Sequence, residues 1–265
     1  MRLKITHTTR YDFGEPVSYG LQQLRKTPKS TRGQSVLSWQ THLEGAKAEV
    51  SFDDHHRNRV ELVSMLGGTQ SLSITSEGEV EMTDTAGIVG PHEGRLPLWF
   101  FQRTTDRTKA GPGVRRLARD TGGEEGLDRL HALSAAIRAE VTYEVGASAP
   151  DWTAEQAVEA GVGVCQDHTH IFLAAARHLG IPARYVSGYL MLDDRIDQDA
   201  THAWAEAHVE GLGWVGFDIS NGISPDTRYV RVATGLDYGE AAPVLGTRFG
   251  GGQEDLTVAV EVAQQ

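Results

Sequence analysis

Gly161-Val-Gly-Val-Cys165-Gln-Asp-His168-Thr-His170 opens the stretch on which the reading of this chain turns. An apolar run to Leu179 follows it, then Gly180-Ile-Pro182 and Arg184-Tyr-Val-Ser-Gly-Tyr-Leu190. Ile171, Phe172, Ala175 and Leu179 recur at the spacing of one helical face, and Gly180 before Ile181-Pro182 is a stop signal, so a helix is predicted over residues 165–179. Cys165 is the single cysteine among 265 residues. It falls in or beside the first turn, where unpaired N–H groups and the positive end of the helix dipole favour a thiolate, the reactive form. Gly161 and Gly163 leave the preceding backbone free to bend and to admit a substrate closely. A buried, inert thiol is the competing reading, and from this stretch alone both stand.

Partners for a nucleophile lie downstream. His202-Ala-Trp204-Ala-Glu206-Ala-His208-Val209 and Trp214-Val-Gly-Phe-Asp218 flank the glycine-rich Glu210-Gly-Leu-Gly213, which reads as a hairpin. His202, Trp204, Glu206 and His208 share one face, and the alanines line the other. A two- or four-residue loop would put His202 and Asp218 on opposite faces; a three-residue loop sets Asp218 opposite Trp204 and diagonal to His202. Cys165, His202 and Asp218 could then form a triad, in which the sulfur attacks a carbonyl, the imidazole moves the proton and the carboxylate holds the imidazole tautomer.

Gly-Val-Cys165-Gln-Asp, the Gly180-to-Tyr189 segment, His202-Ala-Trp and Gly213-Trp-Val-Gly-Phe-Asp218 together resemble the bacterial transglutaminase-like superfamily, whose members are often described as cysteine proteases. The resemblance covers roughly residues 127–221. It implies an α+β, papain-like catalytic core whose Cys, His and Asp match Cys165, His202 and Asp218. It also implies an N-terminal β domain of the kind many bacterial relatives carry. It does not fix the reaction, since the superfamily includes amide cross-linkers, peptidases, deglycosylating amidases and members without catalysis.

Composition bounds the alternatives. Lys plus Arg number 25 against 36 Asp plus Glu, a formal charge of −11, so long phosphate backbones are repelled and nucleic acid is not an expected partner. The opening Met1-Arg-Leu-Lys-Ile-Thr-His lacks the apolar core of a signal peptide, and no run approaches a membrane span. With one cysteine and no internal disulfide, the expected compartment is the cytoplasm.

Residues 1–85 read as strands, giving a β-sandwich domain over 1–95 and a catalytic domain with a C-terminal β segment over 96–265. Arg25, Lys26, Lys29 and Arg32 form a basic stretch that reads as a solvated loop in preference to an anion or partner contact. Asp53-Asp-His-His56 offers adjacent histidines, but strand neighbours point to opposite faces, so the expectation is a polar turn rather than a chelate. Residues 84–113 have linker composition, with Leu96-Pro-Leu-Trp-Phe-Phe101 as a patch that docks the two units. A helix is predicted over 126–140, and Thr153 with Gln156 forms a capping box for a short helix ending at Gly161.

Tyr143, Trp152 and Gln156 are candidates for a second oxyanion donor beside the Cys165 N–H, and Tyr143 is preferred. Trp204 and Trp214 are pocket candidates, with core packing as the equal alternative. Cys165, His168 and His170 diverge around a helix, so no metal is called for, and no cofactor either. His168 is expected at the cleft and His170 on the helix surface or at an interface. The acidic run 193–199 reads as a solvated turn or as a means of steering an amine-bearing substrate. After Asn221, two β-rich runs are expected to extend the catalytic sheet, and the glycine-rich segment between them to serve as a lid. The function read from these residues is thiol-dependent acyl transfer or hydrolysis on a peptide or glutamine-type amide through a thioester. A peptide or protein amide is the partner expected, and a homo-oligomer is left open. The alternatives are a non-catalytic peptide-binding scaffold on the same fold, and an arylamine acetyltransferase-like enzyme, for which no coenzyme A pocket is visible.

Overall fold

The computed structural model describes residues 1–122, 125–193 and 195–265. In chain order the elements are β1 (Arg2–Thr27), β2 (Gln34–Glu44), β3 (Ala46–Asp53), β4 (Arg59–Met65), β5 (Thr69–Met82), β6 (Ile88–Gly90), α1 (Pro112–Asp120), α2 (Gly126–Glu140), β7 (Thr142–Tyr143), α3 (Ala154–Ala160), β8 (Val162–Gly163), α4 (Cys165–His178), β9 (Ala183–Leu190), β10 (Asp197–Gln198), β11 (His202–Val209), β12 (Gly213–Phe217), β13 (Tyr229–Gly235), α5 (Tyr238–Ala241), β14 (Val244–Gly250) and β15 (Glu254–Gln264). None of the described helices is long and apolar enough to cross a membrane.

Among the described residues, eight strands are linked by hydrogen bonds into one sheet. Its spine is β1, in which Leu3, Ile5, His7, Thr9, Tyr11 and Phe13 alternate inward as period two requires. The first half of β1 pairs with β5 and β15, its second half with β4 and β14, and the register shifts between Asp12 and Val17 where the strand turns from one set of partners to the other. The terminal run 256–262, expected in the catalytic sheet, is therefore a neighbour of β1. Its alternation buries Val260 and Val262 against Leu3 and Ile5, where the first strand offers a complementary apolar row. The glycine-rich segment is not a lid: residues 244–250 are β14, paired along β1. The basic stretch is not a solvated loop either, since Lys26 is buried at the end of β1 and its Nζ donates to the His7 and Ile74 carbonyls.

The second sheet runs β13-β9-β11-β12-β6, so the Arg228-to-Val232 run does extend it, and residues 88–90 cross from the N-terminal region to form its edge. Ala203, Ala205 and Ala207 turn one face of β11 toward α4, where Ile171, Phe172, Leu173 and Ala174 are fully buried. Small residues on the strand let the helix lie close. α1, α2 and α3 cover its other sides. α1 starts at the end of the stretch of linker composition; Pro112 in its first turn and buried Val114, Leu117 and Ala118 are its signals. The Thr153/Gln156 capping box and a left-handed Gly161 bound α3 as expected.

Gly213 closes the β11–β12 turn with φ +82°, and a Cβ there would sit 2.1 Å from the Gly90 carbonyl oxygen on β6. Strain and overlap with backbone each cost roughly 1–3 kcal/mol. Gly213→Ala should therefore lower stability by at least about 2 kcal/mol in urea denaturation. Gly211→Ala, with the same sign of φ and open space around it, should cost less. Equal losses would place the edge contact outside the stabilising set.

Candidate active site

Cys165 begins α4 behind Val164, whose φ of −109° and ψ of −175° bring the chain in extended. Asp167 caps this end, its Oδ2 accepting from the Val164 N–H at 2.8 Å and from Ser148 Oγ at 2.6 Å. The helix terminus is thereby fixed by a carboxylate that leaves the sulfur unobstructed. Cys165 lies in a cleft of about 780 Å³, walled by Tyr143, Gln166, Ser187, His202 and Asn221.

His202 and Asp218 meet as the hairpin parity requires. β11 and β12 pair Ala205 with Phe217 and Val209 with Gly213, leaving Glu210-Gly-Leu212 as a three-residue connection, and one further step sets Trp204 opposite Asp218. His202 Nε2 donates to Asp218 Oδ2 at 2.6 Å, which leaves Nδ1 as the ring's free nitrogen in the cleft it shares with Cys165. Asp218 is buried and held by groups that the sequence did not single out. Tyr229 donates its hydroxyl to Oδ2 at 2.7 Å, and Asn221 donates its side-chain N–H at 2.7 Å and its backbone N–H to Oδ1 at 3.2 Å. Asn221, three residues after Asp218 in a turn, could have been suspected; Tyr229 reads only as a strand residue. Burial opposes charge on both partners, but the hydrogen bonds and mutual attraction outweigh it. The imidazole is raised to about 10 and the Asp218 carboxyl is lowered from its ordinary value.

The other candidates separate. Tyr143 is half exposed in the same cleft. Burial and the nearby Cys165 raise its phenol. Trp204 does not line the cleft: it is buried behind the His202 ring, at 6.3 Å and 28°, and edge-on to Tyr229. Trp214 is a correction. Four residues along β12 from Asp218, about 13 Å at strand rise, it is buried against Phe101 and Leu236 with its Nε1 donating to His92. His208 packs on Trp214 at that far end.

His168 does not reach the cleft, because its ring is buried between Ser220 Oγ and the Val141 carbonyl. His170 is no surface residue: α4 is enclosed on all sides, and burial pushes this imidazole down to about 3. Arg195, Asp197 and Asp199 of the acidic run line the cleft, while Asp194 lies outside the described residues. One group of three ligand-type side chains occurs among the described residues, His55, His56 and Glu240. Residues 54–58 form the polar turn expected there, and because a turn does not oppose neighbouring side chains as a strand does, the two histidine rings lie 4.2 Å apart.

Residues 115–219 match the transglutaminase-like superfamily and residues 3–81 the bacterial transglutaminase-like N-terminal region. The chain carries a transglutaminase-like core behind a bacterial transglutaminase-like N-terminal region. An uncharacterized protein of Mycobacterium leprae is 26% identical over 277 residues, spanning 99% of each chain. Another, of Mycobacterium tuberculosis, is 28% identical over 293 residues, spanning 98% of this chain and 92% of its own. The solved structure of a "putative cysteine protease" from Cytophaga hutchinsonii superposes with a TM-score of 0.80 at 22% identity, over 99% of this chain and 90% of that one, a likeness of fold. In this transglutaminase-like core, His202 should stay protonated by ring NMR up to pH 8, and Asp218→Asn should lower its midpoint by at least about one pH unit. Because the folded value exceeds the ordinary 6.5, the stabilisation is complete below pH 6.5 and fades as pH rises toward 10. Asp218→Asn should then cost more stability at pH 6 than at pH 10. A wild-type midpoint near 6.5 would overturn the assignment.

Proposed function

We propose that the protein is a thiol-dependent acyltransferase or hydrolase acting on a peptide or glutamine-type amide through a thioester at Cys165. The observation that carries this reading is the position of His202, hydrogen-bonded to Asp218 and lining the same open cleft as Cys165. In the proposed reaction Cys165 Sγ attacks the carbonyl carbon as the carbonyl oxygen takes up negative charge. The Cys165 N–H at the start of α4 and the Tyr143 hydroxyl are the proposed donors to that oxygen. Collapse breaks the carbon–nitrogen bond, and His202 gives its proton to the departing amine. Water or an amine then attacks the thioester, loses its proton to His202, and releases the sulfur. Asp218 keeps Nε2 protonated, so that Nδ1 faces the reacting atoms in each step.

Arg195, Asp197 and Asp199 leave the described rim of the cleft with an excess of negative charge, which favours a neutral or amine-bearing substrate over a carboxylate. The scaffold alternative has no need of a buried carboxylate carrying three side-chain donors on one oxygen, an arrangement that serves to orient an imidazole.

Three variants test the roles by the size of their losses. Cys165→Ala should abolish turnover, since no other group forms the thioester. His202→Ala should cost on the order of 10³-fold, and Asp218→Asn roughly 10- to 100-fold, because general acid–base transfer is worth about 10²–10⁴-fold and the carboxylate only orients it. The assay is release of a peptide amide's leaving amine, with and without an added primary amine, with intact-mass detection of the acyl-enzyme. The Cys165/His202 double variant should be no worse than Cys165→Ala alone. Wild-type turnover by Cys165→Ala would remove the cysteine as nucleophile.

A further inference from the structure

A second cavity, of about 500 Å³, opens where the N-terminal sheet meets the far end of β9–β11–β12, away from Cys165. Six cationic side chains line it: Lys29, Arg32, Arg57, Arg59, Arg184 and Arg231. Against them stand Asp53, which pairs with Arg59 at 3.6 Å, and Glu93, with Glu206 beneath. In a chain of net charge −11 this concentration of the opposite sign is a local inversion.

The charges are held in place. Glu206 is fully buried and accepts from Arg184 Nε at 2.6 Å and Arg231 Nε at 2.6 Å, so one carboxylate serves two guanidiniums. Arg184 lies flat over Trp214 at 3.9 Å, a placement that fixes its plane. Among the described residues no protein acceptor meets Arg184 Nη1 or Nη2, or Arg231 Nη1. Lys29 spends two of its three donors, on the His56 carbonyl at 3.2 Å and Asn58 Oδ1 at 3.1 Å. Burial first, then Arg231 and Arg184, push the Lys29 ammonium well below its ordinary value, against the opposing pull of Asp54 and Glu206.

The rim is equally specified. Asp54 Oδ1 accepts from the His56 and Asn58 N–H groups, and Asn58, itself buried, reaches the Thr234 carbonyl across the two units. Within this turn Arg57 adopts φ +61°, a conformation uncommon for a residue with a side chain.

We infer that this cavity is a binding site for a small phosphate ester. Its volume is that of a small-molecule site, and the cations converge from the connection after β1, the 54–58 turn, β4, β9 and β13. Lysine as a point charge beside several guanidinium forks surrounds a tetrahedral dianion, whereas a single planar carboxylate needs one fork. The same charge excess disfavours a divalent cation at His55, His56 and Glu240 on the cavity wall.

Calorimetric titration of the full chain with sodium pyrophosphate, with citrate as the carboxylate arm, tests the site. Arg57→Gly suits the left-handed backbone and Arg32→Gln is at the surface, so this pair should leave the melting temperature and the Cys165 chemistry unchanged while weakening pyrophosphate binding at least tenfold. Arg10→Glu with Arg119→Glu, distant and exposed, should weaken it less than twofold. Equal affinity in the first pair and the wild type, equal weakening by the second pair, or no saturable pyrophosphate binding would overturn the site. Citrate binding without pyrophosphate binding would overturn the phosphate assignment.

Discussion

The three-residue connection between β11 and β12 is the constraint from which the candidate active site follows. With an even loop the side-chain parity would invert, and Asp218 would turn toward the alanine face that packs on α4. Gly211 and Gly213, at φ +79° and +82°, supply the backbone that the odd loop requires. Gly213 also permits the close approach of β6, so the residue that sets the register also seals the sheet's edge. His202 and Asp218 meet because a turn of glycines lets two strands pair one residue out of the commoner phase.

What was legible in the sequence followed from local rules. The start of α4, the α3 capping box and the hairpin parity that brings His202 to Asp218 each rest on spacing within a few residues, whereas Cys165 is joined to that pair only by the resemblance. What was missed depended on which elements come together from afar. Nothing in residues 256–262 says whether their apolar row meets β13 or β1, because both offer one. His170 is interior because a helix covered by a sheet and three helices has no outer face, which the apolar spacing along α4 does not report. Trp214 shares a parity with Asp218 but not a position, and periodicity cannot report distance along a strand.

The enclosure of α4 also explains its polar residues. His168 and Arg177 are buried because their donors and acceptors are consumed: His168 spans Ser220 and Val141, and Arg177 donates to the Phe101, Ala183 and Leu236 carbonyls and to Thr108. These bonds reach loops that would otherwise leave carbonyls unmet in the interior. The helix that presents Cys165 is thus tied at several points along its length, and its N-terminus is fixed relative to the sheet that carries His202. Such rigidity is what a nucleophile and its base require, since a displacement of an ångström costs more than most single contacts supply.

The N-terminal sheet enters the same argument through β13. Tyr229, which donates to Asp218, packs with Val186 and Trp204, while the following Val230 and Val232 bury against Leu3, Ile5, Val80 and Val262 of the first sheet. The Tyr229 hydroxyl is therefore held at 2.7 Å from the carboxylate by a strand clamped between two units. Removing the first sheet would expose that apolar row and free β13 to shift, and with it one of the donors that keep Asp218 charged. A charged Asp218 is what raises His202, so the electrostatics of the cleft depend on packing at the interface between the two units. The N-terminal region is in this physical sense part of the site, although among the residues lining the Cys165 cleft none precedes Tyr143.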